Sequence, residues 1–199
     1  MARRLEFFFD FMSPPTYLAY TQMPGLVART GAEIVWRPML TLGLFELTGN
    51  GGPRAVPNKA RWALADIQRF VKRYNVPFVS NPHMDTLKIV PPLRGAFVAQ
   101  ALGVFPAYCD AMFRGMWVEG VNIGEAQTWA RLIADAGLDP QTFRAGIERT
   151  EIKDALRANN QEAADRGAFG APSFFVGDEL FFGQDRLDFV EEALLHLPA

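Results

Sequence analysis

Leu5-Glu6-Phe7-Phe8-Phe9-Asp10-Phe11-Met12-Ser13-Pro14-Pro15 is the stretch on which the fold turns. Residues 5–9 form a short apolar and aromatic run, the pattern of a strand buried on both faces of a parallel or mixed sheet. The chemistry then changes. Ser13 suits a helix N-cap, and Pro14 suits the first helical position, where its missing N–H costs nothing. Residues 17–29 continue that helix, and Pro24-Gly25 is expected to bend or interrupt it. Residues 33–37, with Ile34, Val35 and Trp36, read as a second strand. A β-α-β opening favours parallel strands joined by a right-handed crossover.

Outward from this opening, strand signals fade between Met39 and about Gly167, and helical patterns take over. Asn50-Gly51-Gly52-Pro53 is the clearest loop. Residues 59–74 carry Trp62, Leu64, Ala65, Ile67, Phe70 and Val71 at helix-compatible spacing. Residues 95–102 are small and apolar enough for a buried helix, and 108–117, 127–136 and 151–166 extend the series. Strands return at Ser173-Phe174-Phe175-Val176 and Leu180-Phe181-Phe182, which flank Gly177-Asp178-Glu179 as a hairpin. Gly183-Gln184-Asp185 then precedes a last helix over 186–197, striped by Leu187, Val190, Leu194 and Leu197. The order predicts an α/β fold: a thioredoxin-like domain, residues 1–38 and 168–199, with a large all-helical insertion, residues 39–167, between its β-α-β and β-β-α halves.

Composition narrows the function. Across 199 residues, 20 Lys and Arg nearly cancel 22 Asp and Glu, so no basic surface for nucleic acid is expected. Hydrophobic residues make up 49% of the chain, enough for a sizeable core. Glu6 and Asp10 interrupt the first apolar run, which therefore lacks the form of a secretory signal, and no stretch reaches the roughly 20 apolar residues that span a bilayer. One cysteine, Cys109, excludes an intramolecular disulfide and points to a reducing cytoplasm. His83 and His196 have no partners at metal-ligand spacing, so no metal is expected, and no glycine-rich nucleotide loop is present.

Three motifs, 9–19 around Ser13, Gly167-Ala168-Phe169-Gly170-Ala171-Pro172 and Phe182-Gly183-Gln184-Asp185-Arg186-Leu187, resemble the kappa-class glutathione transferases. They are closer still to the bacterial 2-hydroxychromene-2-carboxylate isomerases. The resemblance runs from end to end and implies glutathione as cofactor, a small aromatic substrate and a homodimer. It implies that Ser13 is the catalytic residue, orienting the glutathione thiolate at a helix end whose dipole and unpaired N–H groups favour negative charge. It implies a cis Ala171-Pro172 bond that turns the Ala171 backbone towards the cysteinyl part of glutathione. Gln184 and Asp185 would hold the γ-glutamyl end, and Asn50 and Lys59 match family positions that touch glutathione, the lysine suiting the glycyl carboxylate. Where the family pattern has an aromatic after Ser-Pro, this chain has Pro15.

Each residue also has a plainer role. Ser13 could simply cap its helix, Pro172 could start an edge strand, and Asp185 could be an N-cap. Asn50 before Gly-Gly is good turn chemistry, and an exposed lysine such as Lys59 is common. The resemblance implies an isomerase that interconverts 2-hydroxychromene-2-carboxylate and trans-o-hydroxybenzylidenepyruvate by reversible thiolate addition. The other readings are a kappa-like transferase or peroxidase acting on electrophiles, and a non-catalytic glutathione- or ligand-binding protein. A disulfide oxidoreductase would need a cysteine where Ser13 stands. A serine hydrolase would need a nucleophile elbow, which is missing.

Overall fold

The structure is a computed structural model that describes residues 3–197. Four strands, β1 (Arg4–Phe9), β2 (Glu33–Pro38), β3 (Ser173–Val176) and β4 (Glu179–Phe182), form a mixed sheet in the order β2-β1-β3-β4. β1 runs parallel to β2 and antiparallel to β3, and β3 and β4 form the expected hairpin. The two central strands are the most apolar because both their faces are covered: Leu5, Phe7, Phe8 and Phe9 are fully buried, and β3 is buried throughout.

Alternation sorts the aromatic rings. Phe7 meets Trp36 and Phe174 on one face, with centroids 5.2 and 4.7 Å away, and Tyr20 of helix α1 (Pro14–Thr30) covers Trp36 at 5.6 Å. Phe8 meets Phe175 on the other, at 5.5 Å. That second face is covered by helix α2 (Thr41–Thr48), through Leu44, and by helix α8 (Thr150–Asp165), through Ala163, with Met39, Ala168 and Ala171 completing the cluster. Helix α3 (Pro57–Tyr74) packs against α1, and the last helix, α9 (Leu187–His196), against α1 and β3.

α1 is not interrupted at Pro24, which lies inside the helix. Pro24 removes one ladder bond, but Tyr17, Leu18, Met23 and Leu26 are buried on either side of it and hold the helix together. By packing, the chain divides into one unit of Met1–Val76 and Asn160–Ala199 and another of Pro77–Asn159. These limits differ from 39 and 167 because α2 packs on the sheet and α3 on α1. Helices α4 (Val90–Ala101), α5 (Phe105–Arg114), α6 (Ala126–Asp135) and α7 (Pro140–Gly146), with the first part of α8, belong to the second unit. Its centre is Tyr108, stacked on Phe143 at 5.0 Å, donating to the Pro92 carbonyl at 2.8 Å and accepting from Trp129 Nε1 at 2.9 Å. No helix among the described residues is long and apolar enough to cross a membrane.

Candidate functional site

Ser13 stands where β1 hands the chain to α1. It is 9% exposed, and its hydroxyl does two things at once. Oγ accepts from the Thr16 amide at 3.3 Å, closing the N-cap, and donates to the Ala171 carbonyl at 3.0 Å. Capping and contact with the proline segment are therefore simultaneous. The expectation of unpaired amides at this helix end needs correction. Pro14 and Pro15 occupy the first two helical positions and have no N–H, and the third amide, Thr16, is already bonded to Ser13. The Ser13 hydroxyl is a hydrogen-bond donor that this helix end can turn towards an anion.

Ala171-Pro172 is a cis peptide bond. The Pro172 carbonyl accepts from the Gly183 amide at 3.0 Å, which brings the third motif beside the second. Gly183 sits at φ +101°, and a Cβ there would strike Asp185 Oδ1, so this turn requires glycine. Gln184 and Asp185 belong to a 3-10 turn, Gln184–Arg186, ahead of α9 and not to the helix itself. Gln184 is buried, and its carbonyl accepts from the Tyr74 hydroxyl at 3.2 Å. Asp185 is not an N-cap. Its carboxylate pairs with Arg186 at 2.8 Å and remains accessible to solvent.

Asn50 follows the α2 C-cap, and its side chain bridges two loops. Nδ2 donates to the Phe169 carbonyl at 2.7 Å, and Oδ1 accepts from the Gly52 amide at 2.9 Å. The turn role is real, and so is a tie to the proline segment. Lys59 is exposed in the first turn of α3, and none of the hydrogen bonds that join the other candidates reaches it. Thus Ser13, Ala171, Pro172, Gly183 and Gln184 are linked in space, and Asn50 is attached through Phe169. Cys109 is fully buried, and burial holds its thiol well above its ordinary value, so it is no nucleophile.

One residue escaped the sequence reading. Asp10 is fully buried three positions before Ser13. Oδ1 accepts from the Met12 amide at 3.0 Å and Oδ2 from the Thr41 amide at 2.8 Å. Burial raises its carboxyl from 3.8 to about 6, against the lowering effect of those two amides. The only sequence signal was a carboxylate following a buried strand.

The linked groups offer a hydroxyl donor at Ser13, a carbonyl acceptor at Ala171 and an accessible carboxylate at Asp185. The family described as DSBA-like thioredoxin domain matches residues 4–195. A 2-hydroxychromene-2-carboxylate isomerase of Sphingobium xenophagum is 32% identical over 98% of this chain and 100% of its own. Glutathione S-transferase kappa 2 of Caenorhabditis elegans is 27% identical over 96% of this chain and 91% of its own. The solved structure of a 2-hydroxychromene-2-carboxylate isomerase superposes with a TM-score of 0.85 at 26% identity, covering 96% of this chain and 94% of that one. On this evidence the chain belongs to the DsbA-like thioredoxin-domain family, in the group formed by the 2-hydroxychromene-2-carboxylate isomerases and the kappa-class glutathione transferases.

Proposed function

We propose that this protein is a glutathione-dependent isomerase that interconverts 2-hydroxychromene-2-carboxylate and trans-o-hydroxybenzylidenepyruvate in aromatic catabolism, working in the cytoplasm as a homodimer. The observation that carries this reading is the Ser13 hydroxyl, a donor at the start of α1, 3.0 Å from the carbonyl of the residue before a cis-proline. The serine occupies the position that a disulfide oxidoreductase needs for cysteine. Exposed apolar side chains such as Trp62, at 59%, are compatible with burial against a second copy.

When bound, glutathione supplies a thiol that adds reversibly to the conjugated enone and so frees its double bond to rotate. The chain's own residues do the rest. A ligand amide that donates to the Ala171 carbonyl takes the acceptor now held by Ser13, and the serine proton is released to turn towards sulfur. Binding and activation are thereby coupled at one carbonyl. Ser13 then orients the thiol and favours its ionised form, while Asp185 pairs with the α-ammonium group, and Asn50, Gln184 and Lys59 hold the two ends of the tripeptide. Ser13 is a positioner of sulfur and forms no bond to substrate.

The test is turnover of 2-hydroxychromene-2-carboxylate by the purified protein with and without glutathione, in wild type and Ser13→Ala. Turnover is expected to require glutathione and to fall by about 100-fold in Ser13→Ala, the scale of losing one preorganised donor. Equal turnover without glutathione contradicts the proposal. The kappa-class relative favours a second reading, transfer of glutathione to an electrophile, in which glutathione is consumed.

A further inference from the structure

We infer that Asp10 is a positioning residue for the Ser13 site: its carboxylate locks the Ser13 turn to the start of α2 and, through α2, to the Asn50 loop that grips the cis-proline segment. The inference rests on the reading of Ser13 as the catalytic centre.

The bonds form a closed ring. Asp10 follows β1, and its backbone carbonyl accepts from the Ser13 amide at 3.2 Å while its side chain accepts from Met12 and Thr41. α2 has no side-chain cap of its own: Leu40 is its N-cap residue, so Asp10 supplies the cap from another element. At the far end of this short helix Asn50 holds the Phe169 carbonyl, and two residues later the Ala171 carbonyl receives the Ser13 hydroxyl. Moving Thr41 relative to Met12 therefore moves Asn50 relative to Ser13, and the two sides of the site shift together.

Both groups bonded to Asp10 are donors, and the ionised carboxylate accepts them most strongly. On protonation one oxygen becomes a hydroxyl, a weaker acceptor that also carries a donor, and the bond it receives is weakened. The groups facing it are neutral: the Met12 and Thr41 amides, the Thr41 hydroxyl, which makes no aligned hydrogen bond, and beside them the Asn160 amide that pairs with Leu40. Burial, and no ionised neighbour, brings the titration to about 6, within the range where enzymes work. The lock is thus proton-sensitive.

Amide resonances followed through a pH titration of the full chain test this directly. The Met12 and Thr41 amides and the Asn50 side-chain amide should move together, with one midpoint near the Asp10 value of about 6. Asp10→Asn should abolish the transition at Asn50, flatten the acid limb of kcat, and lower kcat on the alkaline side about tenfold with KM for the aromatic substrate little changed. The inference is overturned if Asn50 stays still while Met12 titrates, or if Asp10→Asn keeps the wild-type kcat and acid limb. Should the wild type prove to have no isomerase turnover, the functional reading fails, and the resonance titration, which needs no variant, still decides the role of Asp10.

Discussion

At Ser13 one hydroxyl carries a cap, a contact across the fold and, by our proposal, a catalytic task, and Pro15 raises the stakes on it. With proline at the second helical position, that position offers no amide to an anion. Pro15→Ala should restore one and lower the ionisation midpoint of glutathione bound at the site, which ultraviolet absorbance of the thiolate would follow against pH. An unchanged midpoint would mean that the helix end does not touch the sulfur. Asp10 gives a second expectation, with a definite sign. Its carboxyl is raised on folding, so folding favours the protonated form: the stabilisation is complete below the unfolded value of 3.8 and is lost as pH rises through about 6. At about 1.4 kcal/mol per unit this amounts to roughly 3 kcal/mol at neutral pH for a fully buried group. Thermal melts should therefore show Asp10→Asn gaining on the wild type as pH rises from about 4 to about 7. A constant gap would contradict that sign. The cap at Ser13 was legible because serine before proline is distinctive N-cap chemistry, whereas the cis bond at Ala171-Pro172 was expected only from the family resemblance. Asp10 was not legible, because one of its partners, Thr41, lies 31 residues away and belongs to a helix that the pattern did not reveal.

Among the elements, legibility followed the amount of periodic apolar surface. β1 and the hairpin were clear, since continuous aromatic runs bounded by turn residues have few other uses. α3 was clear from its spacing. α2 was missed: Thr-Leu-Gly-Leu-Phe-Glu-Leu-Thr alternates more than it repeats at helical spacing, and only Thr41 and Leu44 of it are buried. Its helicity comes from packing on Phe8 and from the Asp10 cap, neither of which is local. α7 was missed as well; its start is fixed by the Asp139 carboxylate, which caps the Gln141 and Thr142 amides at 3.1 Å each. α4 tolerates no side chain at Gly95. A Cβ at Gly95 would collide with the Tyr108 hydroxyl, which is fixed by Pro92 and Trp129. Gly95→Ala should cost about 1–3 kcal/mol, visible in the midpoint of a denaturant melt. A neutral result would show that the Tyr108 hydrogen bonds yield easily.

For the molecule as a whole, the order of strands and helices was enough to give the thioredoxin-like fold, because a β-α-β opening and a β-β-α close leave few ways to build one sheet. The limits of the packing units were not legible. Secondary structure changes type near Met39, whereas packing changes partner near Val76, after α2 and α3, which pack on the sheet and on α1. The match to an isomerase over 98% of the chain spans both units, so the resemblance does not rest on the sheet alone. Sequence likeness of this kind leaves glutathione's part in the reaction to chemistry. The most direct measurement is therefore the amount of glutathione lost per molecule of product formed. An isomerase that borrows its thiol should turn over many substrate molecules with the glutathione pool intact, and should stop when glutathione is removed. Loss of one glutathione per product, or an undiminished rate in its absence, would contradict the proposed function.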